Sequence, residues 1–553
     1  MDNYAIAEQF SLLARLMDIH GDNPFKSKSY ASAAFALEKL DVEVATLEPA
    51  AIPGLRGIGS SVAGKVQELI ATGKLSALDE LIAQTPPGVL EMLNIKGLGP
   101  KKIHTLWKEL HIDNLNALQD ACRNGRIAAT KGFGDKTQEK ILEAIHFHKQ
   151  NAGKFLYAQV EAFAQALTAR LSQRFPDDRH ALTGAFRRQC EVINELEWVS
   201  TIGVKEAKRF FEGEAFSLVS ESNEWVEFQS GEGLLLRLYF CSTDDFGGTL
   251  FRTTGNDVFT LAWQSAGHPS EATEEETLFE SAGIPFIPAY LRETESVLAR
   301  ASAGALPEAL QVEDIRGIIH AHSSWSDGAH TLEEMANELK ARGFEYLVIS
   351  DHSKAAYYAN GLDEARIRAQ HAEIDVLNEK LAPFRIYKSI ECDILADGSL
   401  DYSNAVLATF DLVIASIHSN LDMPAEKAMM RLMGAINNPY VTIMGHLTGR
   451  LLARRKGYPV DHAAIIDACA ERGVAIEINA SPVRLDMDWR YVEYALEKGL
   501  LLSVNPDAHS FEDIGNLKYG VKVAQKGGLT KERNISSFTR EEFEIFLAKR
   551  KNT

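Results

Sequence analysis

Hydrophobic positions recur at helical spacing through the first 150 residues, as in Ala5–Met17, Ser29–Leu40 and Leu90–Leu110. Glycine-rich turns interrupt these runs, and three resemble one another: Gly54-Leu-Arg-Gly57-Ile-Gly59, Ile95-Lys-Gly97-Leu-Gly99-Pro and Thr130-Lys-Gly132-Phe-Gly134-Asp. Each precedes a predicted helix carrying Lys or Arg. Residues 151–300 mix helical spacing with strand-like runs, Glu224–Gln229 and Leu234–Phe240, and the Ala-rich stretch Leu298–Leu310 reads as a linker. From Ile315 onward the period changes again. Apolar, β-branched runs end at Ile319, Ser350, Ile390, Ile417, Met444, Ile478 and Val504, separated by helical stretches such as Leu332–Arg342 and Ala463–Arg472. Seven strand–helix units imply a parallel barrel or a doubly wound sheet, with its site at the carboxyl ends of the strands.

Composition narrows the class. A chain of 553 residues that is 45% hydrophobic and 24% charged suggests three or four globular domains and excludes fibrous or disordered classes. No apolar run reaches membrane-spanning length and no signal pattern opens the chain, so a cytoplasmic protein without membrane contact is expected. The five cysteines (122, 190, 241, 392, 469) form no CxxC pair, which excludes a disulfide scaffold or a cysteine zinc module. The net charge of −19 is unevenly spread: −1 over 1–150, −11 over 151–310 and −7 over 311–553, with +3 inside 91–150. A nucleic-acid grip needs basic surface, so any such grip is expected in the N-terminal part.

The ionisable residues of the last third fall at strand ends. His320-Ala-His322, Asp351-His352, Glu391, His418, His446 and Asp507-Ala-His509 each follow one of the apolar runs, with Asp327 nearby. Alternation along an extended segment places both imidazoles of His-x-His on one face. Six imidazoles and three carboxylates at one barrel mouth would carry a severe desolvation penalty without cations. His330, His371 and His462 fall off the pattern and read as ordinary structural histidines. Mixed nitrogen and oxygen ligands without thiolates suit Mn, Zn or Fe better than Mg alone.

These segments, with Ser350-Asp-His352-Ser, Gly445-His446-Leu-Thr-Gly-Arg450 and Pro506-Asp507-Ala-His509, resemble the PHP (polymerase and histidinol phosphatase) phosphoesterase domain. The resemblance implies a distorted (β/α)7 barrel with three divalent ions. It places His320, His322, Glu391 and Asp507 on one ion. Glu391 would bridge to a second ion with His418 and His446, and Asp327, His352 and His509 would hold the third. Such clusters activate water and neutralise attacking and leaving oxygens. Glu391 and Asp507 are thus candidate catalytic residues, and Arg450 is a candidate phosphate clamp.

The rest of the chain resembles bacterial family X DNA polymerases that carry a C-terminal PHP domain. The carriers are Asn23-Pro-Phe-Lys-Ser-Lys-Ser-Tyr30, the hairpin turns, and Glu274-Glu-Glu-Thr-Leu-Phe with Gly283-Ile-Pro-Phe-Ile-Pro288. The implied architecture is multidomain α/β. It comprises a helical domain over 1–85, helix-hairpin-helix fingers over 86–150, an α+β nucleotidyltransferase-like palm over 151–245, a thumb over 246–300 and the PHP barrel over 311–553. Gly57, Gly59, Gly97, Gly99, Gly132, Gly134, Lys101 and Lys102 are candidate DNA contacts, because such turns present backbone N–H groups to phosphates. Lys26 and Lys28 read as phosphate-contacting lysines; a lyase nucleophile is the alternative.

The palm departs from the family pattern. Gly184-Ala185-Phe-Arg187-Arg188 carries alanine where the family has serine, and Glu195 and Glu197 stand where two aspartates bind metal. Arg237 occupies the third carboxylate position. A longer acid moves its carboxylate by about an ångström where two ions must sit about 3.5–4 Å apart, and a guanidinium repels them. Arg237 is expected to pair with Glu195 or Glu197 and fill the site. With the palm so altered, the function that the resemblance implies is a metal-dependent 3′→5′ exonuclease, expected to bind DNA at gaps or 3′ ends as a monomer, most active with Mn, over an inactive polymerase core. The alternatives are residual polymerase activity, a small-molecule phosphatase of histidinol-phosphatase type, and a non-enzymatic DNA scaffold.

Overall fold

The computed structural model describes residues 1–551 except 39, 41, 56 and 213–215; Arg56 of the first hairpin turn lies outside the described residues. The chain divides into two compact units, Met1–Ala152 and Gly153–Thr553.

The first unit is helical. Asn3–His20 and Pro24–Glu38 pack face to face, followed by Ser60–Thr72, Ser76–Gln84, Leu115–Arg123 and Asp135–Asn151. The apolar stripes meet in a core that includes Ile6, Phe10, Leu13, Val66, Leu106 and Ile145. The run Leu90–Leu110 is not one helix. It breaks into Pro87–Met92 and Pro100–His104 because Gly97, at φ 87°, turns the backbone through the left-handed region. Gly57 and Gly132 adopt the same geometry, at 84° and 93°. Gly59, Gly99 and Gly134 then sit at helix N-caps with no capping side chain. Lys101 is exposed, whereas Lys102 donates to the Gly97 carbonyl at 3.0 Å and so braces the turn.

The second unit begins with a five-stranded mixed sheet, in the order His180–Thr183, Glu195–Ser200, Leu235–Phe240, Trp225–Gln229, Ser217–Glu221. Glu195–Ser200 and Leu235–Phe240 run parallel, and the other pairs are antiparallel. Helices Phe246–Thr254, Asp257–Ser265 and Glu275–Ala282 enclose an aromatic core of Phe251, Phe259, Trp263 and Phe279. The Ala-rich stretch is only partly a linker. Ser296–Ser302 is helical, and Val297, Ala301 and Leu310 are buried, because its apolar side chains dock rather than face water.

The barrel strands are Gly317–Ala321, Tyr346–Ile349, Arg385–Lys388, Glu391–Asp393, Ile414–Ser416, Ile443–Met444, Ala475–Asn479 and Leu502–Asn505. All ladders are parallel. The run ending at Ile390 yields two short strands, so eight segments stand where seven runs are predicted. Three strands form one sheet and five another. Single parallel bridges, Ala321 with Ala508 and His352 with Glu391, join them. The strand interiors are buried on both faces, as for a sheet covered by helices.

Candidate metal centre and the polymerase-like sheet

The strand ends bring all nine predicted ligands together. His446 Nε2 and His418 Nε2 lie 2.9 and 3.1 Å from Glu391 Oε1, and His320 Nε2 lies 3.4 Å from both Glu391 Oε1 and Asp507 Oδ1. His322 Nε2 is 3.2 Å from Asp507 Oδ1. On the other side, His352 and His509 approach Asp327 at 3.6 Å each. Three overlapping groups, each with ligand atoms within 4.8 Å of one another, could hold ions: His320, His322 and Glu391; His352, Glu391 and His418; and His322, Asp327, His352 and His509.

Backbone strain produces part of this convergence. His320 sits at φ 63°, inside a register shift between Ile319 and Ala321, and Asp507 sits at φ 53°. Strict alternation does not place the His-x-His pair. The bulge re-aims His320, and His322 lies just past the strand. Non-glycine residues in this region cost of order 1–3 kcal/mol, a strain that concentrates at functional sites.

The charges fit cations. His320 and His322 are fully buried, yet His320 Nε2, His322 Nδ1, His352 Nδ1, His418 Nδ1 and Glu391 Oε2 lack a well-directed hydrogen bond. Burial alone would raise the carboxyls of Glu391 and Asp507. The surrounding imidazoles (His418, His320 and His352 for Glu391; His320, His322 and His509 for Asp507) hold both well below the ordinary range. His322 is driven well down by burial and then by His509 and His352. A buried set of unsatisfied imidazoles and carboxylates is the donor chemistry of a metal site with nitrogen and oxygen ligands.

Several supporting residues escape the sequence reading. Glu477 is fully buried, with Oε2 2.6 Å from His320 Nδ1, and it accepts from His446 N, Asn479 Nδ2 and Asn505 Nδ2. It orients His320 from behind. Its only sequence signal is an acid inside the apolar strand Ala475–Asn479. Asp351 accepts from Ser323 N, Ser323 Oγ, Ser326 Oγ and Gln370 Nε2, which fixes the loop leading to Asp327. Asp393 Oδ2 lies 3.3 Å from His418 Nδ1.

Arg450 is not a free phosphate clamp. Its guanidinium donates to Glu191 at 2.6 Å, to Asp488 at 2.7 Å, and to the carbonyls of Arg484 and Leu485. Four acceptors around one largely buried guanidinium leave no donor aimed at the ligand cluster. Arg484 takes that place, with Nε 3.8 Å from Asp507 Oδ2. The off-pattern histidines are engaged elsewhere: His371 meets Phe410 edge-on, His462 stacks on Tyr491 and His330 stacks on Phe511.

In the polymerase-like sheet Arg237 stands beside Glu197 in the parallel register, but it pairs with Glu195 at 3.1 Å and Glu227 at 2.6 Å. Glu227, on the neighbouring strand, is the partner that sequence spacing does not reveal. Glu197 accepts from Tyr239 at 3.0 Å and presses against Gly184, where a Cβ would lie 1.6 Å from its Oε2. Arg187 binds Glu275 through two hydrogen bonds, and Arg188 binds Glu293 and the Thr254 carbonyl.

Fold and site together define a PHP-type barrel joined to a polymerase-like α+β sheet, in a chain that also carries a helical hairpin unit. Family models match as a helix-hairpin-helix domain over residues 1–75, a SAM-like helix-hairpin-helix tandem over 89–146 and a PHP domain over 319–481. A DNA polymerase/3′-5′ exonuclease PolX of Bacillus subtilis (strain 168) is 32% identical over 560 residues, covering 97% of both chains. The chain belongs to this PolX family of family X DNA polymerases. Probable phosphatases of Thermoanaerobacter sp. (strain X514) and Caldanaerobacter subterraneus are 30% and 27% identical over 38% and 42% of this chain, and 86% and 91% of their own lengths. PHP domains are metal-dependent, in agreement with the donor set.

Proposed function

We propose that this chain is a DNA-binding, metal-dependent 3′→5′ exonuclease that processes ends during repair through its PHP barrel, while its polymerase core is inactive. The observation that carries the reading is the convergence of nine ionisable side chains, largely buried and incompletely hydrogen-bonded, at the barrel mouth. Three divalent ions, with Mn the best activator, would be held by His320, His322, Glu391 and Asp507; by Glu391, His418 and His446; and by Asp327, His352 and His509. When bound, such ions supply positive charge to the attacking and leaving oxygens of a phosphodiester. The chain's own residues do the rest. Glu477 fixes the His320 ring, Asp351 fixes the Asp327 loop, and the surrounding apolar strands keep the cluster rigid.

Loss of polymerase activity is supported by the filled palm. Arg237 sits among Glu195 and Glu227, Glu197 closes on Gly184, and both arginines of the Arg187-Arg188 pair are engaged by Glu275 and Glu293. DNA would be held without sequence preference by the hairpin turns around Gly57, Gly59, Gly97, Gly99, Gly132 and Gly134, aided by Lys101, at gaps or 3′ ends. Lys26 and Lys28 are exposed and suit phosphate contact. The domain division at 85, 150, 245 and 300 goes with this division of labour. The reading places a monomer on DNA in the cytoplasm; among the described residues no helix is long and apolar enough to cross a membrane. The deciding assay is purified protein with Mn²⁺ on 3′-labelled DNA, with and without deoxynucleotides. Shortening from the 3′ end without extension supports the reading. Extension, or no reaction on DNA beside hydrolysis of small phosphomonoesters, defeats it.

A further inference from the structure

Two side chains at the barrel mouth are explained neither by the fold nor by the cation cluster. Tyr357 and Tyr358 are 86% and 62% exposed and meet edge to face with ring centroids 5.9 Å apart. They occupy one short turn, Tyr357–Ala359, closed by Asn360 at φ 55°. The turn is held firmly. The Asn360 amide donates to the carbonyls of Trp325 and Ser326 at 3.2 and 3.3 Å, and Leu362 N donates to the His352 carbonyl at 2.8 Å. Gly361 lies so close to the next segment that a Cβ there would sit 1.9 Å from the Ser353 carbonyl oxygen. Arg366 closes the base by donating to the Asn360 carbonyl at 2.7 Å. The turn is thus stapled between His352 and the residue preceding Asp327, two of the cluster's ligands.

The charges of the cluster reach the second ring. Burial, then the charges of Asp393, Glu391 and Asp327, push the Tyr358 phenol up to about 12, and Arg484 acts on it with the opposite sign. Arg484 reaches the cluster at Asp507, while Arg450 is fully engaged elsewhere. A pair of exposed rings on a braced turn therefore borders a site suited to phosphodiester chemistry, with a guanidinium beside it. Two adjacent exposed aromatics on a braced turn bury little on folding, whereas a nucleobase offers them a flat partner of matching size.

We propose that Tyr357 and Tyr358 form a stacking platform for an unpaired terminal nucleobase, whose phosphodiester then lies against the cluster and Arg484. The inference rests on the nuclease reading and assigns these two rings as its contact to the terminal base, which must be out of the duplex stack to reach them.

The test uses the full chain with Mn²⁺ and two single-stranded oligonucleotides that differ only at the 3′ terminus, one ending in deoxyadenosine and the other in a baseless tetrahydrofuran. Base stacking on aromatics predicts that the wild type prefers the base-bearing end by about 5- to 100-fold in kcat/KM. The variant with Tyr357→Ala and Tyr358→Ala should bring that ratio close to one, and Tyr→Phe at both positions should keep it. Arg484→Gln should slow both substrates about 10- to 100-fold and leave the ratio intact. In the hydrolysis-deficient Asp507→Asn chain, a terminal 2-aminopurine should change fluorescence on binding only while the tyrosines are present. A ratio that survives the double alanine change overturns the platform and leaves the nuclease reading standing. No hydrolysis of either oligonucleotide by the wild type overturns both.

Discussion

Arg450, four residues beyond the cluster ligand His446, donates to Glu191 of the polymerase-like region at 2.6 Å while it holds Asp488 at 2.7 Å. The pair is nearly buried, with side chains 16% and 9% exposed, and Lys526 makes a parallel link to Glu293 and the Arg188 carbonyl. The polymerase-like region is therefore tied to the barrel beside the loops that carry the candidate ligands.

Removing one member of that pair leaves a buried charge without a partner. Arg450→Ala and Glu191→Ala should each lower unfolding stability by about 3–5 kcal/mol. The double change should cost clearly less than the sum of the two. Urea denaturation of the four proteins measures this, and strict additivity would show that the two residues do not interact.

Within the cluster, Glu391→Gln, Asp507→Asn and His509→Ala should each lose bound metal and slow hydrolysis by orders of magnitude, since such residues act as a unit. Glu477→Gln should cost about 10- to 100-fold by loosening His320. His371→Ala and His462→Ala should change activity little. Metal analysis and initial rates on 3′-labelled DNA decide, and full activity in an Asp507→Asn, His509→Ala double variant would move the active site elsewhere. Chelation should abolish hydrolysis, and Mn²⁺ should restore it better than Mg²⁺.

No template-directed incorporation is expected with Mg²⁺ or Mn²⁺. Primer extension by the wild type that disappears in Glu197→Ala would refute this.

The same glutamate predicts a pH dependence. Burial, then the neighbouring Glu195, raise the Glu197 carboxyl to about 7, well above the ordinary value of 4.5. The folded state therefore holds its proton more tightly than the unfolded chain, and stability falls as pH rises from about 4.5 through about 7. Glu197→Gln should remove this slope, gaining stability relative to wild type at pH 8 and none at pH 4. Parallel denaturation curves at the two pH values read the difference directly.

Deletion of residues 1–152 should weaken DNA binding and its salt dependence while hydrolysis of a small nitrophenyl phosphodiester survives. The hairpin turns would supply position and the barrel chemistry. Binding that is unchanged after the deletion would remove the hairpins from the DNA site.

Local chemistry made much of this protein legible from its sequence. Helical and β-strand periods, glycines that must turn through positive φ, and ionisable residues at strand ends are each written in a few adjacent residues, so the barrel, the hairpins and the nine ionisable residues of the barrel mouth are legible there. Glu195, Glu197 and Arg237 are equally plain in the sequence, whereas the pairing of Arg237 with Glu227 is not. What separates such residues in the chain was settled only by folding. Glu477 lies 157 positions from His320, and Glu191 lies 259 from Arg450. Nothing in either neighbourhood announces the partner. Arg450 and Arg484 are both arginines on loops near the mouth, and only packing decided that the first is consumed by carboxylates while the second faces the cluster. The bulge that turns His320 inward is likewise a product of barrel closure, a constraint that exists only once all the strands have met.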